Sequence, residues 1–182
     1  MTENINPLQK YYRQPAIYIK LPSEGRYYDK NVFTPSETGE IPILPMTAKD
    51  ELTFKTPDAM INGQATVDVI KSCVPNLLDP WKMVNYDTDT ILLAIRIATY
   101  GETMNIKFGV PVTGTQQEHT VNLSAILEQL GKVKIQDYAT TSKGFKIKIN
   151  PLTYDSLTKI QIARFEQQKI YGTINSSTLT EE

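Results

Sequence analysis

Apolar and polar positions alternate over Ala16-Ile17-Tyr18-Ile19-Lys20-Leu21, a short strand pattern that Pro22 and Gly25 end. Residues 27–40 hold Pro35 and Gly39 among polar neighbours and read as a long loop or hairpin. Ile41-Pro42-Ile43-Leu44 is a second strand pattern, confined to a sheet edge because proline lacks the N–H a central ladder needs. A small N-terminal sheet follows, preceded by a polar arm, residues 1–14, with no period.

From Thr47 the signals turn helical. Thr47 is a cap and Asp50, three residues on, answers it as in a capping box. Thr56-Pro57 repeats the start signal and Asn62-Gly63 supplies a stop. Val67, Ile70 and Val74 then fall three and four apart, with Val69 and Cys73 beside them, until Pro75 ends the pattern. The clearest helix spans 86–100, with Asp87 and Asp89 at its positive N-terminal end and Gly101 as its stop. Its Ile91, Leu92, Ile95 and Ala98 should anchor the core.

Beyond Gly101 the period shortens to two strands, 103–110 and 118–123, joined across 112–117 by a turn containing Gly114. Ser124 is placed to cap a short helix through Leu130. Residues 145–149 alternate with lysines as a strand, and Asn150-Pro151 opens a long final helix to about Tyr171. That helix has Leu152, Ile160, Ala163 and Ile170 on one side and Tyr154, Ile162 and Phe165 on another, so it is either deeply buried or shared with a partner. Thr178-Leu179-Thr180-Glu181-Glu182 resembles the start of a further helix, and the chain is expected to continue past Glu182. The fold class expected is α+β: a small N-terminal β region, central short helices plus one long helix, an inserted β-hairpin and a long C-terminal helix. The corresponding units are an arm (1–14), a β region and helical core (15–101), a small α+β insertion (102–150) and the C-terminal helix (151–182).

Composition narrows the function classes. Nineteen basic against twenty acidic side chains in 182 residues give a net charge of −1, without the basic stripe that displaces counterions from phosphates. The best basic run, Lys143 to Lys148, alternates like one solvated strand face; a nucleic-acid module would have to gather it with Lys132 and Lys134. No apolar stretch approaches the roughly 20 residues of a bilayer span. Glu3, Asn4 and Asn6 stand where a secretory signal needs a charged start and an apolar run, so the chain is expected to stay in a cytoplasm. One cysteine excludes an intrachain disulfide.

A search for reactive groupings yields little. His119, the one histidine, sits in a strand pattern beside Glu118 and reads as a half-exposed strand residue; a general base would need two carboxylates near it. Cys73 lies inside a helix pattern and reads as core, not as a thiolate nucleophile. One cysteine and one distant histidine cannot supply a typical zinc set, and Asp79, Asp87 and Asp89 fit helix starts better than a metal cluster. Phosphate-loop and nucleophile-elbow motifs are absent. The chain is therefore expected to have no catalytic residues, no metal and no cofactor.

What remains is anchor chemistry. Five of ten tyrosines (Tyr11, Tyr12, Tyr18, Tyr27 and Tyr28) fall in the first 28 residues, near Arg13 and Arg26, a composition typical of binding hot spots. The alternative for Tyr18, Tyr27 and Tyr28 is that they close a small core. Trp81 reads as a local lid or a partner contact. With Tyr154, Ile162 and Phe165 of the final helix, the interface candidates are Tyr11, Tyr12, Arg13, Arg26, Tyr27, Tyr28, Trp81, Tyr154, Ile162 and Phe165.

Ordered blocks of sequence also carry a family resemblance. Leu21-Pro22-Ser23-Glu24-Gly25-Arg26-Tyr27-Tyr28, Pro45-Met46-Thr47-Ala48-Lys49-Asp50-Glu51, Thr56-Pro57-Asp58-Ala59-Met60 with Asn62-Gly63, Pro75-Asn76, and Asp79-Pro80-Trp81 succeed one another. With Ala94-Ile95-Arg96-Ile97-Ala98-Thr99-Tyr100-Gly101 and, more loosely, Arg164-Phe165-Glu166-Gln167-Gln168, they resemble the T4-type phage baseplate proteins. That family includes baseplate hub subunits and hub assembly catalysts. Many relatives carry a C-P-x-C-G knuckle where this chain reads Val110-Pro111-Val112-Thr113-Gly114, so the resemblance implies no metal there. It implies a hub component or assembly factor of a contractile-tailed phage, or a transient chaperone absent from the mature virion. Its partners would be hub and tape-measure proteins or copies of itself within the hub. It would be found in the host cytoplasm during assembly and in the virion tail baseplate.

Overall fold

A computed structural model describes residues 12–34, 36–56, 62–109 and 116–178, with 172–178 described by their backbone. The expected helix behind Thr56-Pro57, the turn at 110–114, Tyr11 and residues 179–182 lie outside the described residues. In chain order the elements are β1 (Ile17–Ile19), β2 (Ile41–Ile43), α1 (Ala48–Phe54), α2 (Gln64–Cys73), a 3-10 turn (Pro80–Lys82), α3 (Asn85–Tyr100), β3 (Thr103–Gly109), β4 (Gln116–Asn122), α4 (Leu123–Gly131), β5 (Tyr138–Thr140), β6 (Lys146–Lys148) and α5 (Tyr154–Thr178). Their strands form three separate two-stranded antiparallel sheets, and the architecture is α+β.

The core is where α3 meets α2 and the first sheet. Ile17 pairs with Ile43 and Ile19 with Ile41, so the pleat turns Ile41 and Ile43 inward and places Pro42 opposite exposed Tyr18. Behind them Val69, Ile70 and Cys73 of α2 and Ile91, Ala94 and Ile95 of α3 are fully enclosed, and Leu92 and Ala98 pack against the cluster from its margin. Truncating a side chain such as Ile95 here should cost about 2–5 kcal/mol, since the neighbours cannot collapse fully into the space.

Local rules explain most boundaries. Thr47 accepts from the Asp50 N–H at 3.3 Å while the Asp50 carboxylate accepts from the Thr47 N–H at 2.8 Å, so the capping box forms. Four features go beyond or differ from expectation. Asn62-Gly63, expected as a stop, also forms the start of α2: Gly63 is its left-handed first flank (φ +77°), and the Asn62 side chain accepts from the Gln64 N–H at 2.9 Å. Asn122, at the end of β4, caps α4 by accepting from Ala125 N–H at 3.0 Å, which leaves Ser124 inside the helix.

The third difference is α5, which begins at Tyr154 and not at Pro151, because the preceding residues are held in an antiparallel bridge. Asn85 N–H donates to Leu152 carbonyl at 3.0 Å, and Tyr154 N–H donates to Met83 carbonyl at 2.7 Å. The Thr153 hydroxyl then takes the Ser156 N–H at 3.3 Å. At its other end the described part of α5 runs to Thr178, and residues 179–182, where a further helix is expected, lie outside the described residues. Fourth, the lysine-rich strand has a mate, β5, whose polar, exposed residues give no period; Tyr138 pairs with Lys148 and Thr140 with Lys146.

Candidate functional site

Three clusters of side chains hold the interface candidates, and the first secures the arm. Arg13 donates to the Pro45 carbonyl at 2.9 Å, to the Asp50 carboxylate at 3.3 Å and to both the carbonyl and the hydroxyl of Ser72. Asp50 also accepts from the Thr47 and Ser72 hydroxyls. Burial raises the Asp50 carboxyl, but the hydrogen bonds of Thr47 and Ser72 and the Arg13 charge outweigh it and hold the group below the ordinary aspartate value. Tyr12, next to this cluster, is mostly exposed.

The second cluster is the turn 21–28. Asp87, fully buried in the first turn of α3, accepts from the Ser23 N–H at 3.1 Å and from the Tyr28 hydroxyl at 2.5 Å. The same hydroxyl accepts from the Val84 N–H at 3.0 Å. Burial pushes the Asp87 carboxyl up, only partly offset by these donors, and pushes the Tyr28 hydroxyl up as well. Asp87 is thus the first-turn acid its position implied and, in addition, a buried tether. On the other side of the turn, Arg26 donates to the Asp137 carboxylate at 3.2 Å and the Tyr27 hydroxyl donates to its other oxygen. Asp137 stands at the base of the β5–β6 hairpin, where its carbonyl accepts from Ile149 N–H at 2.7 Å. An apolar cavity of about 200 Å³ lined by Pro22, Tyr86, Thr90, Leu130, Val133 and Ile135 lies where the insertion meets α3.

The third cluster docks α5. The Trp81 ring packs on Tyr154 at 5.6 Å between centroids, as a local lid. Thr158, one turn further, is buried, and a Cβ on Gly63 would stand 3.1 Å from its hydroxyl oxygen and 3.2 Å from the Tyr154 hydroxyl. The stripe Tyr154, Thr158, Ile162 and Phe165 therefore leaves the body as it runs: Thr158 is enclosed, Ile162 half-buried, and Phe165 46% exposed beneath Lys169. From 163 to 171 every side chain is exposed, Ile170 at 59% among them. Of the two alternatives for this helix, deep burial does not hold among the described residues beyond Thr158.

The structure thus engages Arg13, Arg26, Tyr27, Tyr28, Trp81 and Tyr154 in contacts within the fold, and leaves Ile162 and Phe165 at or near the surface. Sequence reasoning places Asp50 in a cap and Asp87 at a helix start but not their hold on Arg13, Ser23 and Tyr28, and it passes over Asp137, which no spacing joins to residues over a hundred positions away. Of the candidate reactive groups, His119 is exposed in β4 opposite Ile106. Cys73 is buried, and burial followed by the Asp50 charge pushes its thiol up to about 11. Among the described residues no three His, Cys, Asp or Glu side chains are grouped to hold a metal ion, and no helix is long and apolar enough to cross a membrane.

An α+β body with a docked, outward-running helix and a tethered basic hairpin is a class of architecture, and sequence comparison gives it a family. The family model described as T4 bacteriophage base plate protein matches residues 16–180. The chain belongs to that family, which gives it a phage baseplate-associated role among other baseplate proteins. No curated protein and no solved structure matches it significantly.

Proposed function

We propose that this chain works without catalysis, as a subunit of the baseplate hub of a contractile-tailed phage, binding hub and tape-measure proteins as they assemble in the host cytoplasm. The observation that supports this most is the α5 stripe, which packs on the body at Tyr154 and Thr158 and continues, still apolar, through Ile162 and Phe165 onto a helix with no further cover among the described residues. At 1.5 Å per residue a helix of 25 residues is about 37 Å long. A second protein covering the end of that stripe would remove Phe165 and the exposed part of Ile162 from water, at roughly 1.5–3 kcal/mol for a fully buried side chain. Long apolar contacts of this kind characterise lasting interfaces more than transient ones, which favours a resident subunit over a departing assembly factor.

Phe165→Asp tests the reading, because the new carboxylate meets Lys169 one turn on and leaves the helix intact. Melting should be unchanged while capture of purified hub and tape-measure proteins falls sharply; unchanged capture would refute the role of α5. Mass spectrometry of purified tails should find the chain there, and its absence would refute residence.

A further inference from the structure

The β5–β6 hairpin has two unlike faces and an open edge. Strand alternation turns Phe145, Ile147 and Ile149 to one side, all exposed (Phe145 at 69%, Ile147 at 52%), and Lys146 and Lys148 to the other, beside Thr140 and Tyr138. From Lys132 to Asn150 the segment carries five lysines and one acid, Asp137, in a chain whose net charge is −1. Arg26 already occupies that acid, and among the described residues Glu128 pairs with Lys132. Among the described residues no ion pair engages Lys134, Lys143, Lys146 or Lys148. A cleft of about 500 Å³ lined by Lys20, Glu24, Arg26, Lys132 and Lys134 extends the positive surface to the hairpin's base. The sheet has two strands, so the outer edge of β6 presents backbone donors and acceptors unused by a neighbouring strand.

We propose that this edge takes up an extended segment of a partner protein in which acidic and apolar residues alternate, as a third strand beside β6. The proposal rests on the protein-binding reading above and names its surface and the partner's chemistry. Two-residue alternation is what matches both faces at once: apolar side chains of the incoming strand lie beside Ile147 and Phe145, and carboxylates beside Lys146 and Lys148. A nucleic acid would use the lysines but leave three large apolar side chains in water, so the apolar face favours protein.

The probe is a fluorescent peptide of about ten residues alternating glutamate and valine, the length of a long strand, titrated into the full chain by anisotropy. It should bind. The same composition interrupted by two central prolines, which cannot donate to a ladder, should bind at least about tenfold more weakly. Lys146→Glu with Lys148→Glu, both on an exposed face, should weaken the first peptide about tenfold or more by turning two attractions into repulsions. Ile147→Asp should weaken it as well. Failure to bind, indifference to the prolines, or indifference to the double variant would each overturn the proposal. So would tighter binding of duplex DNA with a steep salt dependence, which would assign the surface to phosphates. Capture of hub proteins separates the two levels. If wild type and the double variant capture them equally, the edge is overturned and the wider reading stands. If wild type captures none, the wider reading is overturned and the peptide titration still decides the edge.

Discussion

Replacing Asp87 measures how much the turn 21–28 contributes to the fold. Asp87→Ala leaves two buried donors, the Ser23 N–H and the Tyr28 O–H, without their acceptor. An orphaned buried donor costs about 1–3 kcal/mol, so the variant should lose roughly 2–6 kcal/mol, reduced by relief from desolvating the carboxylate. Asp87→Asn keeps an acceptor for Ser23, but its amide donates toward Tyr28, which already receives the Val84 N–H, so one O–H is left over. Its loss should be smaller, about 1–3 kcal/mol. Urea unfolding gives both values, with the slope m as a check that the native state is unchanged. The sign of the pH dependence is a second, independent readout. Burial raises the folded Asp87 carboxyl above its unfolded value near 3.8, so the folded state holds the proton longer. Its contribution is complete below that value and declines as pH rises through the raised one. The difference in stability between wild type and Asp87→Asn should therefore change across that window and be flat above it. An Asp87→Ala loss under about 1 kcal/mol would refute the tether, and parallel pH profiles would refute the net rise of its carboxyl.

Other outcomes follow from the same contacts. Arg13→Ala should lose about 1–3 kcal/mol in chemical unfolding, because Asp50 and the Ser72 carbonyl lose a donor. Asp50 is held below its ordinary value, so its contribution is present above about pH 4 and lost as pH falls; in Asp50→Asn acid melts that loss should disappear. Gly63→Ala combines a left-handed φ with a methyl 3.1–3.2 Å from Thr158 and Tyr154; it should cost at least about 1–2 kcal/mol and expose α5 to limited proteolysis. Cys73, buried with its thiol raised to about 11, should resist an aromatic disulfide reagent at neutral pH until the protein is unfolded, and rapid native labelling would contradict its placement.

The framework was legible where apolar period and cap chemistry agree. Ile91 and Ile95 at helical spacing, the Thr47–Asp50 box and the two-strand pattern around Pro42 each state a local rule that the fold obeys. Boundaries failed where a tertiary contact overrode the local signal: Asn150-Pro151 reads as a helix start, but the bridge between Thr153 and Val84 delays α5 to Tyr154. β5 was invisible because an exposed strand held by its partner needs no apolar alternation. The site was half legible. Tyrosine and arginine abundance drew notice to the arm and turn, yet composition cannot tell a hot spot from a buried hydroxyl, and Tyr28 and Arg13 turn inward toward carboxylates that look unexceptional in sequence. Phe165 and Ile162 stand out because two apolar sides on one helix exceed what a small body can cover, and the structure leaves them at or near the surface.

One short stretch of chain steers two distant parts of the molecule. Ser23 and Tyr28 grip the central helix, while Arg26 and Tyr27 grip the foot of the basic hairpin. From that foot the ribbon reaches about 13 Å to its tip, so a tilt of about 10° there swings the tip by about 2 Å, nearly half the spacing between paired strands. A chain altered at Arg26 would carry an unblemished docking edge aimed at the wrong place, and genetic screens for assembly defects should find such alleles in the elbow as readily as on the ribbon itself.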